Sequence, residues 1–292
     1  MMDLLSALQQ NPWLFISLTA LVSLIVGSFL NVLIYRLPIM MEREWQAEFS
    51  EYFQTAASAK PLATFNLAVP RSACPSCHTP IAAYDNIPLL SWLVLKGRCR
   101  HCQAPISVRY PAVELLTAVL SAVIAWQYGP TLITAMLLFL TWGLVALSFI
   151  DIDKMLLPDQ LTLPLLWLVL IFSLSDAAFV SPAEAILGAA AGYLSLWVVY
   201  WAFKLLTGKE GMGYGDFKLL AIFGALLGWQ QLPLIILLSS LVGAIIGATL
   251  LTIQGKDKAT PIPFGPYIAA AGWIAMLFGE AITAVYLGYL GL

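Results

Sequence analysis

The sequence predicts an all-α polytopic membrane protein with about eight transmembrane helices and a cytoplasmic zinc-binding loop between the first and second helices. Three observations lead to this fold class. Of the 292 residues, 61% are hydrophobic and only 10% are charged, whereas about a quarter of a soluble domain is charged. The apolar residues cluster in eight runs, and the basic residues lie only in alternate connections between them. The composition therefore excludes an ordinary soluble domain.

The first apolar run, about residues 13–35, is long enough to cross roughly 30 Å of hydrocarbon. Asp3 precedes it instead of a basic residue, and it lacks a small-residue cleavage site, so we expect a retained anchor and not a signal peptide. The sixth run is short and follows a glycine break, which is typical of a discontinuous helix beside a site. The seven later runs cover residues 112–126, 132–150, 161–179, 183–206, 217–229, 232–253 and 266–290.

The basic residues predict the orientation. If successive spans cross the membrane in opposite directions, all fourteen basic residues lie on the same side as the loop at residues 37–110. The positive-inside rule makes this side cytoplasmic, and both termini then lie on the other side of the membrane. Omitting any one span would scatter them, so this segregation also supports the short sixth span. The fourteen are Arg36, Arg43, Lys60, Arg71, Lys96, Arg98, Arg100, Arg109, Lys154, Lys204, Lys209, Lys218, Lys256 and Lys258.

The loop contains a short internal repeat, C-x-x-C-x-x-P-I, at residues 74–81 and again at residues 99–106. Two such knuckles supply four thiolates, and a closed site of four sulfurs is typical of structural zinc. Two disulfides or a redox pair are the alternative, although a cytoplasmic loop faces a reducing compartment. His78 and His101 adjoin the knuckles, but we expect them outside the ligand set. The predicted ligands are Cys74, Cys77, Cys99 and Cys102.

Two acidic residues lie where apolar runs meet polar connections. Asp151 closes the third span, and Asp216, the last residue of Gly-Tyr-Gly-Asp at 213–216, opens the sixth, so both fall at the cytoplasmic ends of their helices. A carboxylate is costly at membrane depth, and two that share a site hold one proton between them, as acid–base hydrolysis of a peptide requires. The spacing alone leaves open that both acids are merely solvated or cap their helices.

Four other acidic residues compete for this role. Asp153 is two positions from Asp151 and so points to a different helical face. Asp159 suits the N-cap of the fourth span, and Glu114 lies in the first turn of the second span, where the helix dipole favours an acid whether or not it is catalytic. Asp257, between two lysines, is expected in a solvated loop.

These residues together resemble the type IV prepilin peptidases, the bifunctional leader peptidase and N-methyltransferase enzymes of type IV pilus and type II secretion systems. The resemblance covers nearly the whole chain. The matching stretches are residues 27–32, 35–38, the paired C-x-x-C, 109–111, 151–159, 208–216 and 261–266.

The resemblance implies that Asp151 and Asp216 are the catalytic acids of a GxGD-type aspartic endopeptidase. It also implies that the substrates are prepilins and pseudopilins, cut after a glycine at the cytoplasmic face of the bacterial inner membrane. The new N-terminus, commonly Phe, would then be methylated with S-adenosylmethionine. No glycine-rich nucleotide motif is visible, so the methyltransferase activity rests on the resemblance, with the region of Gly97 as its expected place. Besides these substrates the expected partner is the lipid bilayer, and no nucleic acid.

The predicted organisation has three parts: a first transmembrane helix at residues 1–36, the cytoplasmic loop at 37–110, and a seven-helix membrane-embedded protease core at 111–292. Membrane carboxylate pairs also serve proton-coupled transport, which is the alternative function. Both acids lie near one face, with no charged relay through the other spans, and this favours the peptidase. A zinc-stabilised scaffold without catalysis is a third interpretation, and it predicts that replacing either acid leaves processing intact.

Overall fold

The computed structural model describes residues 2–53, 64–254 and 262–290. The chain divides into two compact units, Met1–Pro130 and Thr131–Leu292. Both units are helical, and within the described residues the only extended pairings are two isolated bridges, Ala73 with Pro80 and Arg98 with Pro105. The predicted all-α class is therefore confirmed for this part of the chain.

The helices have the following bounds. In the described part of the first unit they are α1 (Met2–Gln10), α2 (Pro12–Tyr52), α3 (Leu90–Val94) and α4 (Arg109–Tyr128), with a 3-10 turn at Ala83–Asn86. In the described part of the second unit they are α5 (Leu132–Lys154), α6 (Asp159–Phe172), α7 (Pro182–Thr207), α8 (Tyr214–Leu227), α9 (Leu232–Gln254) and α10 (Gly265–Leu290), with a 3-10 turn at Trp229–Gln231.

Six helices in the described ranges are long and apolar enough to cross a membrane: α2, α4, α5, α7, α9 with its preceding turn, and α10. The other two predicted spans, α6 and α8, have 14 residues each. At 1.5 Å per residue each is about 21 Å long, shorter than the hydrocarbon layer. The predicted end of the fourth span at residue 179 is wrong, because the helix stops at Phe172, where the hydroxyls of Ser173 and Ser175 bond back to backbone carbonyls.

Helix α2 contains 41 residues and continues well beyond the apolar run at 13–35. Its length, about 60 Å, is twice the hydrocarbon thickness, so the acidic stretch that follows the run extends the same helix. Arg36 is buried at the junction, and its guanidinium donates to the carbonyls of Asn66 at 2.8 Å and Pro70 at 2.6 Å. This side chain thereby fastens the start of the cysteine loop to α2.

Small residues allow α2 and α4 to pack closely. Gly27 lies against α4 so tightly that a Cβ there would be 2.8 Å from the Cα of Glu114 and 3.2 Å from the side chain of Thr117. Only glycine permits this approach. The backbone of Glu114 is therefore held directly against the first spanning helix.

Helix α8 is the core of the second unit, since every residue from Asp216 to Leu226 except Lys218 is buried. A helix that is apolar on nearly every side is stable only when other helices surround it. Gly188 of α7 and Gly224 of α8 face each other, and a Cβ on either would lie 2.0 Å from the carbonyl oxygen of the other. These glycines let α7 and α8 approach at backbone distance.

The predicted three-part organisation stays a prediction. The division into compact units falls after Pro130 and assigns α4 to the same unit as the cysteine loop. Several predicted positions lie outside the described residues, namely Lys60, Lys256, Asp257, Lys258 and Pro261.

Candidate active site and metal site

Asp151 lies in the last turn of α5, a helix that is otherwise almost entirely apolar. The chain leaves this helix abruptly, because Met155 adopts a left-handed conformation (φ 53°) and its N–H donates to the carbonyl of Asp151 at 2.9 Å. The side chain of Asp151 is buried, with the residue only 5% exposed. A sharp turn after α5 thus leaves this carboxyl group inside the second unit.

Asp216 is the third residue of α8, after the extended Gly213 that precedes the helix. The first turn of a helix carries unpaired N–H groups and a positive dipole end, which favour an acidic side chain. The residue is 7% exposed, and within the described part of the chain its Oδ1 has no hydrogen-bond partner. Buried oxygens are nearly always hydrogen-bonded, so this atom is available to a proton, a water or a substrate.

The fold brings the two acids together, although they are far apart in the sequence. Gly265, whose N–H contacts Asp151, and Gly215, the neighbour of Asp216, both lie against the side chain of Leu157. Asp151 also accepts a 3.0 Å hydrogen bond at Oδ2 from the N–H of Gly265, the first residue of α10. Each carboxyl group therefore meets the N-terminus of a helix, Asp216 in α8 and Asp151 across the gap to α10.

Leu157 fills the space between these two helix starts. A Cβ on Gly215 would lie 2.6 Å from the Cβ of Leu157, and a Cβ on Gly265 would lie 3.1 Å from its Cδ1. A Cβ on Gly265 would also lie 2.8 Å from Oδ2 of Asp151. Both glycines are therefore required for packing, one beside each acid. No sequence pattern predicted these roles of Leu157 and Gly265, although the glycine between Phe264 and Pro266 was a visible signal.

Aromatic side chains form one wall beside Asp216. The ring of Tyr214 lies 5.3 Å from the rings of both Tyr200 and Phe217, centroid to centroid. Tyr200 and Phe217 are buried, whereas Tyr214 is 46% exposed. Tyr214 is thus the accessible member of this cluster, two residues from the acid.

An ion pair holds the connection that leads to Asp216. The ammonium of Lys204, at the end of α7, donates to Oε1 of Glu210 at 2.8 Å and to the hydroxyl of Tyr200 at 3.2 Å. The hydrogen bond from Lys204 lowers the pKa of Glu210. The connection is also packed, since a Cβ on Gly211 would lie 3.0 Å from the ring of Phe203. These contacts restrict the approach of the chain to α8.

The other acids have different surroundings. Asp153 is exposed, in agreement with the predicted difference in helical face. The predicted N-cap role of Asp159 is wrong, because Pro158 occupies the cap position and Asp159 instead accepts a 2.5 Å hydrogen bond from the ammonium of Lys218. Proline fits at this boundary because the first turn needs no backbone N–H from it. Glu114 belongs to the other unit.

Glu114 is buried in the first unit and accepts a backbone hydrogen bond there. Its predicted place in the first helical turn is wrong, because α4 begins at Arg109 and Glu114 is its sixth residue. Its Oε2 accepts a 2.8 Å hydrogen bond from the N–H of Leu89, a residue with positive φ (58°). A non-glycine residue rarely adopts this conformation, which costs about 1 kcal/mol or more. The hydrogen bond to Glu114 helps to hold the loop in it.

The four cysteines form a potential metal site. The sulfur atoms of Cys74, Cys77, Cys99 and Cys102 all lie within 4.8 Å of one another, and none of the four is bridged by a disulfide. The disulfide alternative therefore finds no support. Sulfurs bound tetrahedrally at about 2.3 Å from zinc would be about 3.8 Å apart, and Cys74 Sγ and Cys102 Sγ are 3.7 Å apart.

The two knuckles have the same backbone geometry. In each, the first cysteine donates its N–H to the carbonyl five residues later, Cys74 to Thr79 at 3.0 Å and Cys99 to Ala104 at 2.9 Å. The fifth residue is left-handed in both, His78 at φ 57° and Gln103 at φ 59°. His78 therefore matches a glutamine in the second knuckle, which agrees with its predicted absence from the ligand set.

Hydrogen bonding prepares one of these thiols as a metal ligand. Hydrogen bonds from the side chain and backbone of Thr79 lower the pKa of Cys77 to about 6. A lowered pKa favours the thiolate, which is the form that binds metal. The Sγ of Cys77 lies 3.3 Å from Oγ1 of Thr79.

Gly97 lies two residues before the second knuckle, and its position explains why glycine occurs there. It has a positive φ (66°), and a Cβ would lie 2.9 Å from the ring of Trp92. The basic residues on either side, Lys96 and Arg98, are exposed. Gly97 is therefore needed for the loop conformation itself, in addition to any role in binding.

Comparison with known proteins gives two family matches that together cover most of the chain. Residues 21–128 match the bacterial peptidase A24 N-terminal domain, and residues 137–248 match the type IV leader peptidase family. No solved structure matches the chain.

Curated relatives are similar over nearly their whole length. A prepilin leader peptidase/N-methyltransferase of Aeromonas hydrophila is 63% identical over 276 residues, which cover 94% of this chain and 95% of the relative. Proteins of the same description from Pseudomonas aeruginosa and Neisseria gonorrhoeae are 56% and 48% identical. The alignment with the Pseudomonas aeruginosa protein covers 99% of each chain. The alignment with the Neisseria gonorrhoeae protein covers 91% of this chain and 92% of the relative.

Proposed function

The chain belongs to the type IV leader peptidase family, and on this basis we propose that it removes the leader peptide of type IV prepilins and then methylates the new N-terminus. Pseudopilins of type II secretion systems are proposed as further substrates. The methyl donor is S-adenosylmethionine. The observation that carries the proposal is the buried pair Asp151 and Asp216 at two helix N-termini.

The pair suits hydrolysis of a peptide bond. Two carboxyl groups in one buried site share one proton, so that one is a base and the other an acid. The ionised member takes a proton from the attacking water, while the protonated member donates a hydrogen bond to the carbonyl oxygen of the scissile bond. Burial strengthens both interactions, because the site has a lower dielectric constant than water.

We assign the base role to Asp151 and the acid role to Asp216. Asp151 accepts the N–H of Gly265, and a hydrogen bond to a carboxylate favours its ionised form. The buried Oδ1 of Asp216 has no partner among the described residues, which suits a protonated carboxyl group. Infrared spectroscopy tests this assignment: the carbonyl band of a protonated carboxylic acid should disappear in Asp216→Asn and persist in Asp151→Asn. The reverse result would exchange the two roles.

The proposed topology has eight membrane-crossing or membrane-embedded helices, with both termini periplasmic and the active site near the cytoplasmic face of the inner membrane. The segregation of the basic residues supports it, and so do the six helices long enough to span. The short helix α8 is accommodated because other helices bury most of its residues. The proposed three-part organisation, 1–36, 37–110 and 111–292, follows from the same topology.

We propose zinc as the metal of the cysteine site, held by Cys74, Cys77, Cys99 and Cys102. Four thiolates close the coordination shell, so the ion is structural and joins the two knuckles. Metal analysis of the purified protein should give one zinc per chain. A value near zero, or disulfides between these cysteines, would contradict this assignment.

We place the methyl-transfer site in the cysteine loop around Gly97. The exposed cations Lys96 and Arg98 provide positive charge for the carboxylate of the donor. When bound, the donor supplies an activated methyl group to the free amine that cleavage creates. The protein's contribution is to hold the donor beside that amine, and the carboxyl pair takes no part in this step.

Two other functions are less well supported. A proton-coupled transporter finds no support among the relatives, whose descriptions name a peptidase and methyltransferase. A scaffold without catalysis would not explain a buried carboxyl oxygen without a partner at the start of α8.

Incubation of the purified protein with a prepilin, followed by mass spectrometry, tests the function directly. We expect loss of the leader and gain of one methyl group. Asp151→Asn and Asp216→Asn should each abolish cleavage, and the double variant should be no worse than either single one, because the acids act as a unit. Asp153→Asn, an exposed acid in the same helix, is the matched control and should cleave normally. Normal cleavage by either of the first two variants would exclude the proposed mechanism.

A further inference from the structure

The cysteine loop contains an exposed apolar segment at residues 87–94. Four of its large side chains face outward: Ile87 is 47% exposed, Leu90 61%, Leu93 63% and Val94 75%. Leu90, Leu93 and Val94 follow the i, i+3, i+4 spacing and so share one face of α3. Water-soluble loops rarely expose such a cluster, so this face has a partner.

The opposite face of α3 packs on the loop itself. The indole N–H of Trp92 donates to the carbonyl of Ile106 at 3.2 Å, and its ring lies against Gly97. These contacts fix the orientation of the short helix. The leucines therefore point away from the knuckles and cannot be buried by a simple rotation of α3.

The depth of this segment follows from its bond to α4. Helix α4 has 20 residues, about 30 Å, which equals the hydrocarbon thickness and places Arg109 at the membrane boundary. Glu114 is then about 7 Å deeper along the axis. Helical side chains lean toward the N-terminus, so Leu89, bonded to Oε2 of Glu114 at 2.8 Å, lies between the levels of Arg109 and Glu114.

The surroundings of the segment match a lipid surface. Helix α4 also exposes apolar side chains at neighbouring depths, with Leu115 52% and Val119 49% exposed. Residues 86–95 contain no charged side chain, and exposed Lys96 and Arg98 follow at once. Basic residues beside an apolar helical face are typical of elements that lie in the interface of an anionic membrane.

We propose that residues 87–94 form a membrane-inserted segment, which lipid acyl chains cover at Leu90, Leu93 and Val94 while Lys96 and Arg98 lie at the level of the head groups. The inference requires that α4 crosses the membrane and is independent of the proposed enzymatic activities. It also explains the bond between Glu114 and Leu89, because the N–H of Leu89 would otherwise be unpaired in a region poor in water. One consequence is that Gly97 and the second knuckle are held at the membrane surface.

Site-specific fluorescence quenching in the full-length protein tests this inference. The fluorescent amino acid acridonylalanine replaces Leu93 in one sample and Tyr84 in another, and each protein is placed in vesicles of phosphatidylethanolamine and phosphatidylglycerol. The two positions are matched, since Leu93 is 63% and Tyr84 64% exposed. Tyr84, however, lies beside the ion pair of Arg100 and Asp85, where water is expected.

We expect lipids with a spin label on the acyl chain to quench the fluorophore at position 93 severalfold more than at position 84. Aqueous iodide should show the reverse order. Equal quenching by iodide at both positions would overturn the inference, as would protection from both quenchers at position 93, because a protein surface would then cover the segment. Two controls test for a local folding defect. One is the zinc content of each labelled protein, and the other is the same quenching measurement with the label at Leu90, which is 61% exposed.

Discussion

Gly265→Ala should displace the carboxyl group of Asp151 without removing it, and so test whether its position matters for cleavage. The new Cβ would lie 2.8 Å from Oδ2 of Asp151, whereas ordinary contacts begin near 3.4 Å, so the carboxyl group must move by about 0.6 Å. That movement weakens the 3.0 Å bond from the Gly265 N–H, and hydrogen bonds to charged groups contribute about 1.5–3 kcal/mol. We therefore expect kcat/KM for leader cleavage to fall about tenfold to hundredfold.

The assay is cleavage of a prepilin followed by mass spectrometry, with methylation of a pre-cut pilin measured on the same sample as a check on folding. Gly288→Ala is the matched control, because it makes the same chemical change in the same helix where no atom lies within 4 Å of the new Cβ. The control should cleave normally. Near wild-type kcat/KM in Gly265→Ala would refute the role of this amide, and equal loss of methylation would indicate general misfolding instead.

Three further predictions concern the two units separately. Gly97→Lys should impair methylation more than cleavage in assays with uncut and pre-cut substrate, because it distorts the loop and leaves the carboxyl pair untouched; equal losses would indicate one shared site. Gly188→Ala should lower the thermal midpoint of unfolding by several degrees or prevent accumulation, since its Cβ would meet the carbonyl of Gly224 at 2.0 Å; an unchanged midpoint would contradict the packing. Removal of metal by a chelator should increase hydrogen exchange throughout the knuckles, because structural zinc contributes directly to folding, and unaltered exchange would show that the loop folds without it.

Composition and pattern were sufficient for the membrane class, the helical fold and the cysteine cluster. These features depend on local chemistry: apolar runs of spanning length form helices in lipid because their backbone groups must bond internally, and paired knuckles carry their own turn geometry. Cys74 and Cys99 therefore occupy equivalent positions in the structure, as the repeat predicted.

Helix ends were harder to predict from the sequence. The fourth span stops at Phe172 although apolar residues continue, and Asp159 pairs with Lys218 and does not cap its helix. Hydropathy measures the cost of burial and contains no information about competing side-chain hydrogen bonds. The end of a helix is decided by such bonds, some of which come from other helices.

The tertiary structure alone decided the surroundings of the two acids. The sequence identified Asp151 and Asp216 as candidates, but it contained no sign that the first amide of α10 donates to one of them, or that Leu157 separates the two helix starts. One of these contacts, between Gly265 and Asp151, joins residues more than a hundred positions apart, and no local sequence pattern encodes a contact over such a separation. The sequence could thus identify the two acids, because the carboxyl group itself carries the chemistry. It could not give their relative position, because that position depends on how α5, α8 and α10 pack together.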